Sequence, residues 1–373
     1  MNQDTKGEGE YKDIHFDEEK KETFEKSSSK HEELSSLMKF WDTKGWLICS
    51  LIASACFGIA SFFMGEVSKN GIVAKNLLSL GFIIVAVIYM FVAFTQNYLK
   101  GIRIWSLTDN DWYFTNEMGE TKMHWSYFFG MICSALANVV GTLFVAITFQ
   151  TSIQAGVNQG VISTLFVLSA VFCAIFAYIF LKEVMGGADY VGFTLMIICA
   201  ILLSLSQDSA TIVEVSQSQQ ISTVFPVLAA IGSSLGFGIR SIFIKYYASK
   251  GYNVYNFAMQ SLFVDGLIGS VYLLVQYMTT DVVTSEIILP GILSGLIAGF
   301  GTFLINYSIS VGIAGPASAM ANLAAVFQTI MDYFILGQVL NLLQIFGLFV
   351  GLIGALTLAV GYSVYKSVVR LIK

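Results

Sequence analysis

Two ionisable side chains lie inside long apolar stretches of this chain. Arg240 stands within residues 224–246, and Asp265 stands within 254–277, in the run SLFVDGLIGSV. An ionisable group in apolar surroundings is costly and is therefore a candidate for function by default. At about 1.5 Å of rise per helical residue, the two positions differ in depth by roughly 9 Å, which an arginine side chain nearly spans. The two residues could form a buried ion pair that closes a gate, or Asp265 could exchange a proton.

Both residues also have a structural interpretation. Arg240 could extend along its helix to the surface, with Lys245 one turn further out, because long cationic side chains snorkel. Asp265 is too central for that, and Ser261 or Tyr272 could satisfy its carboxylate instead. The sequence leaves these alternatives open.

Uncharged polar residues form a second set in the apolar segments. Ser318, Asn322 and Thr329 share one helical face through spacings of four and seven residues. Such a face could line a cavity, or its members could form helix-to-helix hydrogen bonds of about 0.5–2 kcal/mol each. Together with the ionisable pair, the candidate substrate- or ion-binding residues are Asp265, Arg240, Asn138, Asn322, Gln328, Asn306 and Gln260.

The composition decides which elements must hold these residues. Of 373 residues 55% are hydrophobic and only 12% are charged, against about a quarter charged in a globular protein. A bilayer core needs roughly twenty apolar residues of helix. The segments that meet this requirement predict an all-α, polytopic membrane protein with ten transmembrane helices, at 45–64, 77–96, 125–149, 157–181, 189–206, 224–246, 254–277, 287–310, 315–336 and 342–365.

The charged residues predict the orientation. Residues 1–44 hold eight Lys against twelve Asp and Glu, with no apolar run, which is typical of a disordered acidic tail. Eleven basic residues near the segment ends fall on the side of this tail and two on the other. Lys and Arg favour the cytoplasmic side, so both termini, including a tail at 366–373, are predicted to be cytoplasmic. The linker 207–223 is predicted to be non-cytoplasmic, and the kind of membrane stays open.

One apolar segment occurs twice. Residues 160–184 and 315–339 match at ten of 25 positions with a constant offset of 155 residues. Five helices per half turn the second half upside down, so we expect two inverted five-helix repeats, 45–206 and 224–365. Small residues recur every fourth position at Gly291, Gly295 and Gly299, which predicts close helix packing.

The first copy ends in YIFLKEV, and YVGFTLMIICAILLS follows after a short loop. These motifs resemble the EamA-type repeat of the drug/metabolite transporter superfamily, best over 125–206 and 287–362. The resemblance implies a transporter and makes Glu183 the family's acid after the fourth helix. Gln338 stands where a second Glu is common, which is a departure from the family pattern.

Other classes of function lack sequence support. The chain has no phosphate-cradling Gly-Lys-Thr loop, no HExxH motif and no clustered His or Cys, so we expect no enzyme activity, no cofactor, no metal and no nucleic-acid partner. The leading hypothesis is a secondary transporter in the lipid bilayer that moves a metabolite, nucleotide sugar, amino acid or drug, with protons as a candidate coupling ion. A channel, a non-transporting scaffold and a homodimer are left open.

Overall fold

The helices of this chain follow the apolar segments closely. The computed structural model describes residues 45–68, 75–100, 113–115, 121–155, 162–205, 221–222, 224–279, 285–336, 342–343, 345–354 and 357. The predicted tails 1–44 and 366–373, and most of the linker 207–223, lie outside these residues.

Eleven α-helices and one short hairpin make up the described part of the chain. The helices are α1 (Gly45–Ser68), α2 (Lys75–Leu99), α3 (Trp125–Gln154), α4 (Leu168–Phe176), α5 (Gly187–Leu205), α6 (Val224–Ser249), α7 (Val254–Thr279), α8 (Ser285–Val311), α9 (Ala314–Ala321), α10 (Ala324–Leu336) and α11 (Ile345–Gly354). Strands β1 (Tyr113–Thr115) and β2 (Thr121–Met123) pair antiparallel between α2 and α3.

The distribution of polarity is that of a membrane protein. Among the described helices six, namely α1, α2, α3, α6, α7 and α8, are long and apolar enough to cross a bilayer, whereas α4, α5 and α11 are shorter apolar helices. Large apolar side chains such as Phe91 and Phe334 point outward with exposures of 70% and 77%, while Ser134, Ser233 and Asn306 are completely buried. An apolar outside around a polar inside suits a lipid environment, so the chain is a multi-pass integral membrane protein.

Two of the predicted transmembrane segments contain irregular backbone. A 3₁₀ turn, Thr164–Val167, precedes α4, and a π-helical turn, Ala177–Leu181, follows it. The second segment is broken at Asn322, between α9 and α10. At the sequence offset of 155, Asn322 corresponds to Val167, so the two irregularities lie at matching positions.

The glycine stripe of α8 packs on α2, as the spacing predicts. A Cβ atom on Gly295 would lie 2.1 Å from the carbonyl oxygen of Leu78 and 2.9 Å from the Cα atom of Gly81. One turn away on either side, Gly291 faces Leu77 and Gly299 faces Val85. The prediction of close helix packing at these glycines is confirmed.

The helix contacts fall into pairs. Helix α2 packs on α8 and α3 packs on α7; α4 packs on α6, and Gly58 of α1 contacts Phe327 of α10. In the same way α3 packs on α6, while α8 is bonded to α1 by Ser308 Oγ, which donates to the carbonyl of Trp46 at 2.7 Å. These contacts are related by exchanging the first five predicted transmembrane segments with the last five in the same order. Under this exchange the contact of α2 with α8 becomes that of α7 with α3, α4 with α6 becomes α10 with α1, and α3 with α6 becomes α8 with α1.

Candidate functional site

A cavity of about 180 Å³ lies inside the helical assembly. Helices α1, α2, α3, α6 and α8 form its walls, together with the 3₁₀ turn before α4 and the break between α9 and α10. Its polar lining residues are Ser61, Asn138, Thr142, Ser163, Ser169, Arg240, Ser241, Ser294, Thr302, Ser318, Asn322 and Gln328. The cavity therefore combines helices from both predicted halves with the two irregular segments.

Arg240 is the charged residue of this lining. It is 7% exposed, and its Nη2 donates a hydrogen bond of 3.1 Å to Oδ1 of Asn306. Its side chain thus turns into the protein and does not extend to the surface, so the snorkelling alternative is wrong. Tertiary packing provides the reason: α8 places the Asn306 amide next to the guanidinium, which compensates part of the cost of burial.

Asp265 lies behind the cavity wall, with an exposure of 3%. Its carboxylate accepts a hydrogen bond from Nδ2 of Asn138, and its charge acts on Arg240. Asn138 provides this bond in place of the Ser261 or Tyr272 that the sequence suggested. The four buried residues form two hydrogen-bonded pairs, Asn138 with Asp265 and Arg240 with Asn306, which the attraction between the two charges links. We call these four residues the buried polar network.

Asn322 connects the two irregular segments across the cavity. Its Nδ2 donates to Oγ of Ser169 at 3.2 Å and to the carbonyl of Ser318 at 2.9 Å. Gln328 also lines the cavity, whereas Thr329 bonds back to the carbonyl of Ala325 within α10. Of the three residues on the predicted polar face, Ser318 and Asn322 therefore line the cavity and Thr329 does not.

Gln260 lies elsewhere. Its Oε1 accepts a hydrogen bond of 2.9 Å from the hydroxyl of Tyr127, whose ring contacts Tyr247 and Phe257. This aromatic cluster stands near the ends of α3, α6 and α7 and contributes nothing to the cavity lining. The structure therefore separates Gln260 from the other candidates.

Glu183 and Lys245 form an ion pair at the end of the protein where α6 and α8 terminate. The Nζ atom of Lys245 lies 3.5 Å from Oε1 of Glu183 and donates to the carbonyl of Gly312 at 2.6 Å. Oε2 of Glu183 accepts the backbone N–H of Ala314, the first residue of α9, at 3.2 Å. A cation at a helix C-terminus and an anion at a helix N-terminus are both favourable. This contact, which we call the Glu183–Lys245 latch, joins α4, α6, α8 and α9.

Sequence reasoning missed Lys245 as a partner of Glu183. The signal is present in the sequence, since Lys245 is one residue from the end of the apolar segment 224–246. However, 62 residues separate the two side chains along the chain, and only the packing of α4 beside α6 brings them together. Of the cavity serines, Ser318 was singled out, while Ser169 and Ser241 carried no signal that distinguishes them from other serines in apolar helices.

Part of this chain is similar in sequence to a known protein family. The sequence profile of the EamA-like transporter family matches residues 224–360. No curated protein matches the chain. One solved crystal structure superposes with a TM-score of 0.57 over 83% of this chain and 95% of its own, at 13% identity, which shows likeness of fold alone.

The sequence match and the apolar exterior agree with each other. Members of the EamA-like family are membrane transporters, and the described helices have the length and polarity that such a protein needs. Residues 224–360 of this membrane chain are therefore similar to the EamA-like transporter family, part of the drug/metabolite transporter superfamily.

Proposed function

We propose that this protein is a secondary transporter that moves a small organic solute across the membrane by alternating access. The observation that carries the proposal is the buried cavity with Arg240 in its wall, enclosed by helices from both halves of the chain. Solute sites of such transporters lie at the interface of repeats and are formed by discontinuous helices. The cavity lies between the two predicted repeats and is lined in part by the two irregular segments, which supports the proposal.

Two observations support ten helices in two inverted repeats. The helix contacts exchange in pairs between the halves, and the irregular segments at Val167 and Asn322 coincide at the sequence offset. Each of these contacts joins a helix of the first predicted half to a helix of the second, so a rocking motion of the two halves would change them. The cavity lies among the contacts that such a motion changes.

The Glu183–Lys245 latch is the proposed closure at one end of the cavity. Its four helices all contribute to the wall or lie next to it, and both side chains are only partly exposed, at 20% for Glu183 and 16% for Lys245. With both termini cytoplasmic, as the basic residues predict, this end would face the cytoplasm.

The direct test is uptake into liposomes that contain the purified full-length protein. We expect saturable uptake of at least one class of small solute, with counterflow when the lumen is preloaded. Each class is measured with and without a pH gradient, because protons were raised as a coupling ion. A channel would give uptake without counterflow, and absence of uptake across all classes would favour the scaffold alternative.

We predict that Glu183→Gln opens the latched end. The change removes the charge that pairs with Lys245 and weakens the bond to Ala314, and a partly exposed ion pair contributes about 1 kcal/mol, which corresponds to about a fivefold shift in population. Reaction of Ser318→Cys with an impermeant thiol reagent, read by mass spectrometry at that residue, should accelerate about fivefold from one side of the membrane.

Glu286→Gln is the matched control, because Glu286 is an exposed carboxylate in the first turn of α8. It should leave the labelling rate of Ser318→Cys unchanged. Equal labelling rates in the Glu183→Gln variant and the unaltered protein would contradict the role of the latch as a closure.

A further inference from the structure

We propose that the cavity binds a small organic anion with a single carboxylate and a compact apolar body, and that Arg240 holds the carboxylate. This inference rests on the proposed function, because it names the class of solute that the transporter would carry. Three features of the cavity support it: its charge, the free hydrogen-bonding capacity of Arg240, and its size.

Among the described residues that line the cavity, the charge has one sign. Arg240 is the charged residue among those that line the cavity, while Asp265 lies behind the wall and is held by Asn138. A solute in the cavity therefore meets a guanidinium directly and a carboxylate only through the intervening residues. An anionic group is favoured in this position, and an ammonium group would find no anion to pair with among the described lining residues.

Arg240 retains donors for a ligand. A guanidinium has five N–H donors in a planar fork, and in the described part of the chain Arg240 makes one hydrogen bond, to Asn306. Because that bond uses one of the two Nη2 hydrogens, the other Nη2–H and the parallel N–H on the adjacent nitrogen can bind two carboxylate oxygens side by side, the geometry that arginine favours. Asn322 and Ser241 add neutral polar groups to the same lining.

A single cation limits the charge of the solute. The diphosphate of a nucleotide sugar would bring at least two negative charges into a lining with one positive side chain, and the excess charge would be buried without a partner. One carboxylate adds the smallest negative charge that the guanidinium can bind while the charge of Asp265 acts on it from behind the wall. The geometry therefore points away from nucleotide sugars and toward monocarboxylates.

The volume of the cavity and its apolar lining indicate the size and polarity of the solute beyond its carboxylate. A cavity of about 150 Å³ lined by apolar side chains accommodates benzene, and this cavity measures about 180 Å³. Phe57, Phe82, Phe166 and Phe237 contribute to the wall. A benzene-sized body with one carboxylate, as in benzoate, fits both the volume and the aromatic side chains.

The test is binding of three probes with the same ring and different polar groups to the purified full-length protein, measured by calorimetry at neutral pH. We expect benzoate to bind at least tenfold more tightly than benzyl alcohol, and benzylamine to bind most weakly. Comparable affinity for benzyl alcohol or benzylamine would overturn the inference. This comparison requires no variant and stands even if changes at Arg240 prevent folding.

Two variants test whether Arg240 is the residue that binds the carboxylate of benzoate. The double change Arg240→Gln with Asp265→Asn leaves no uncompensated charge and should lower benzoate affinity about ten- to hundredfold, with benzyl alcohol unchanged. Lys250→Gln is the control, because Lys250 lies at the exposed end of α6, over the ring of Tyr246. A folded double variant that binds benzoate as the unaltered protein does would refute the role of Arg240.

Binding and transport can fail separately. Uptake of neutral or cationic solutes without carboxylate binding would leave the proposed transporter standing and overturn the inference about its solute. Selective carboxylate binding that depends on Arg240, with no uptake or counterflow of any solute, would support the site and contradict transport.

Discussion

Asp265→Asn should sharply lower the yield of folded protein, and adding Arg240→Gln should restore it. The single change removes the charge that compensates Arg240, and it leaves a buried guanidinium with Asn306 as its neutral hydrogen-bond partner. Removal of one partner from a buried ionic pair costs about 3–5 kcal/mol, whereas removal of both charges is often neutral. The second change should therefore recover most of the loss.

Folded yield and thermal stability in detergent, measured for both single variants and the double variant, give the coupling between the two sites. We expect a coupling free energy of about 2 kcal/mol or more, because the residues belong to one network. Asp189→Asn is the control, since Asp189 is at the start of α5 and its carboxylate bonds only locally, to the N–H of Gly186 at 2.9 Å.

The Asp265→Asn variant also distinguishes an ion-pair role of Asp265 from a role in proton coupling. Normal folding with loss of uptake driven by a pH gradient would contradict the ion-pair role and support proton coupling. Unchanged folding and unchanged uptake at every pH would reject both roles. The burial of Asp265 and the effect of its charge on Arg240 favour the ion pair.

A single methyl group on Gly295 should be enough to disrupt the packing of α2 on α8. The new Cβ atom would stand 2.1 Å from the carbonyl oxygen of Leu78, and the Cα atom of Gly81 on the opposite helix lies within 2.9 Å. Because both neighbours are backbone atoms, no side chain can rotate away, and the two helices must separate. Overpacking costs typically about 1–3 kcal/mol, and we expect Gly295→Ala to lie at or above the upper end.

The thermal stability of the purified variant measures this cost. Gly187→Ala is the matched control, because a Cβ atom at Gly187 would meet no heavy atom within 4 Å. A Gly295→Ala protein as stable as the Gly187→Ala protein would show that α2 and α8 are not in backbone contact.

Local properties of the sequence determined the class of this protein and the positions of its helices. Apolar length and composition depend on neighbouring residues alone, so the spans of α1, α3, α6 and α7 could be predicted to within a few residues. The glycine spacing on α8 was equally readable, because residues four apart on a helix share a face. The same logic singled out Arg240 and Asp265, since a charge in an apolar segment stands out without knowledge of its partner.

Only the tertiary structure decided which of these residues meet. Asn138 and Asp265 are 127 residues apart and Arg240 and Asn306 are 66 apart, so their pairing depends on how α3, α6, α7 and α8 cross. Gln260 has the same chemistry as Gln328, but its helix face turns toward Tyr127 and not toward the cavity. The sequence shows that a polar residue in an apolar helix needs a hydrogen-bond partner when it is buried. The partner lies on the helix that packs against it, and the packing of whole helices determines which helix that is.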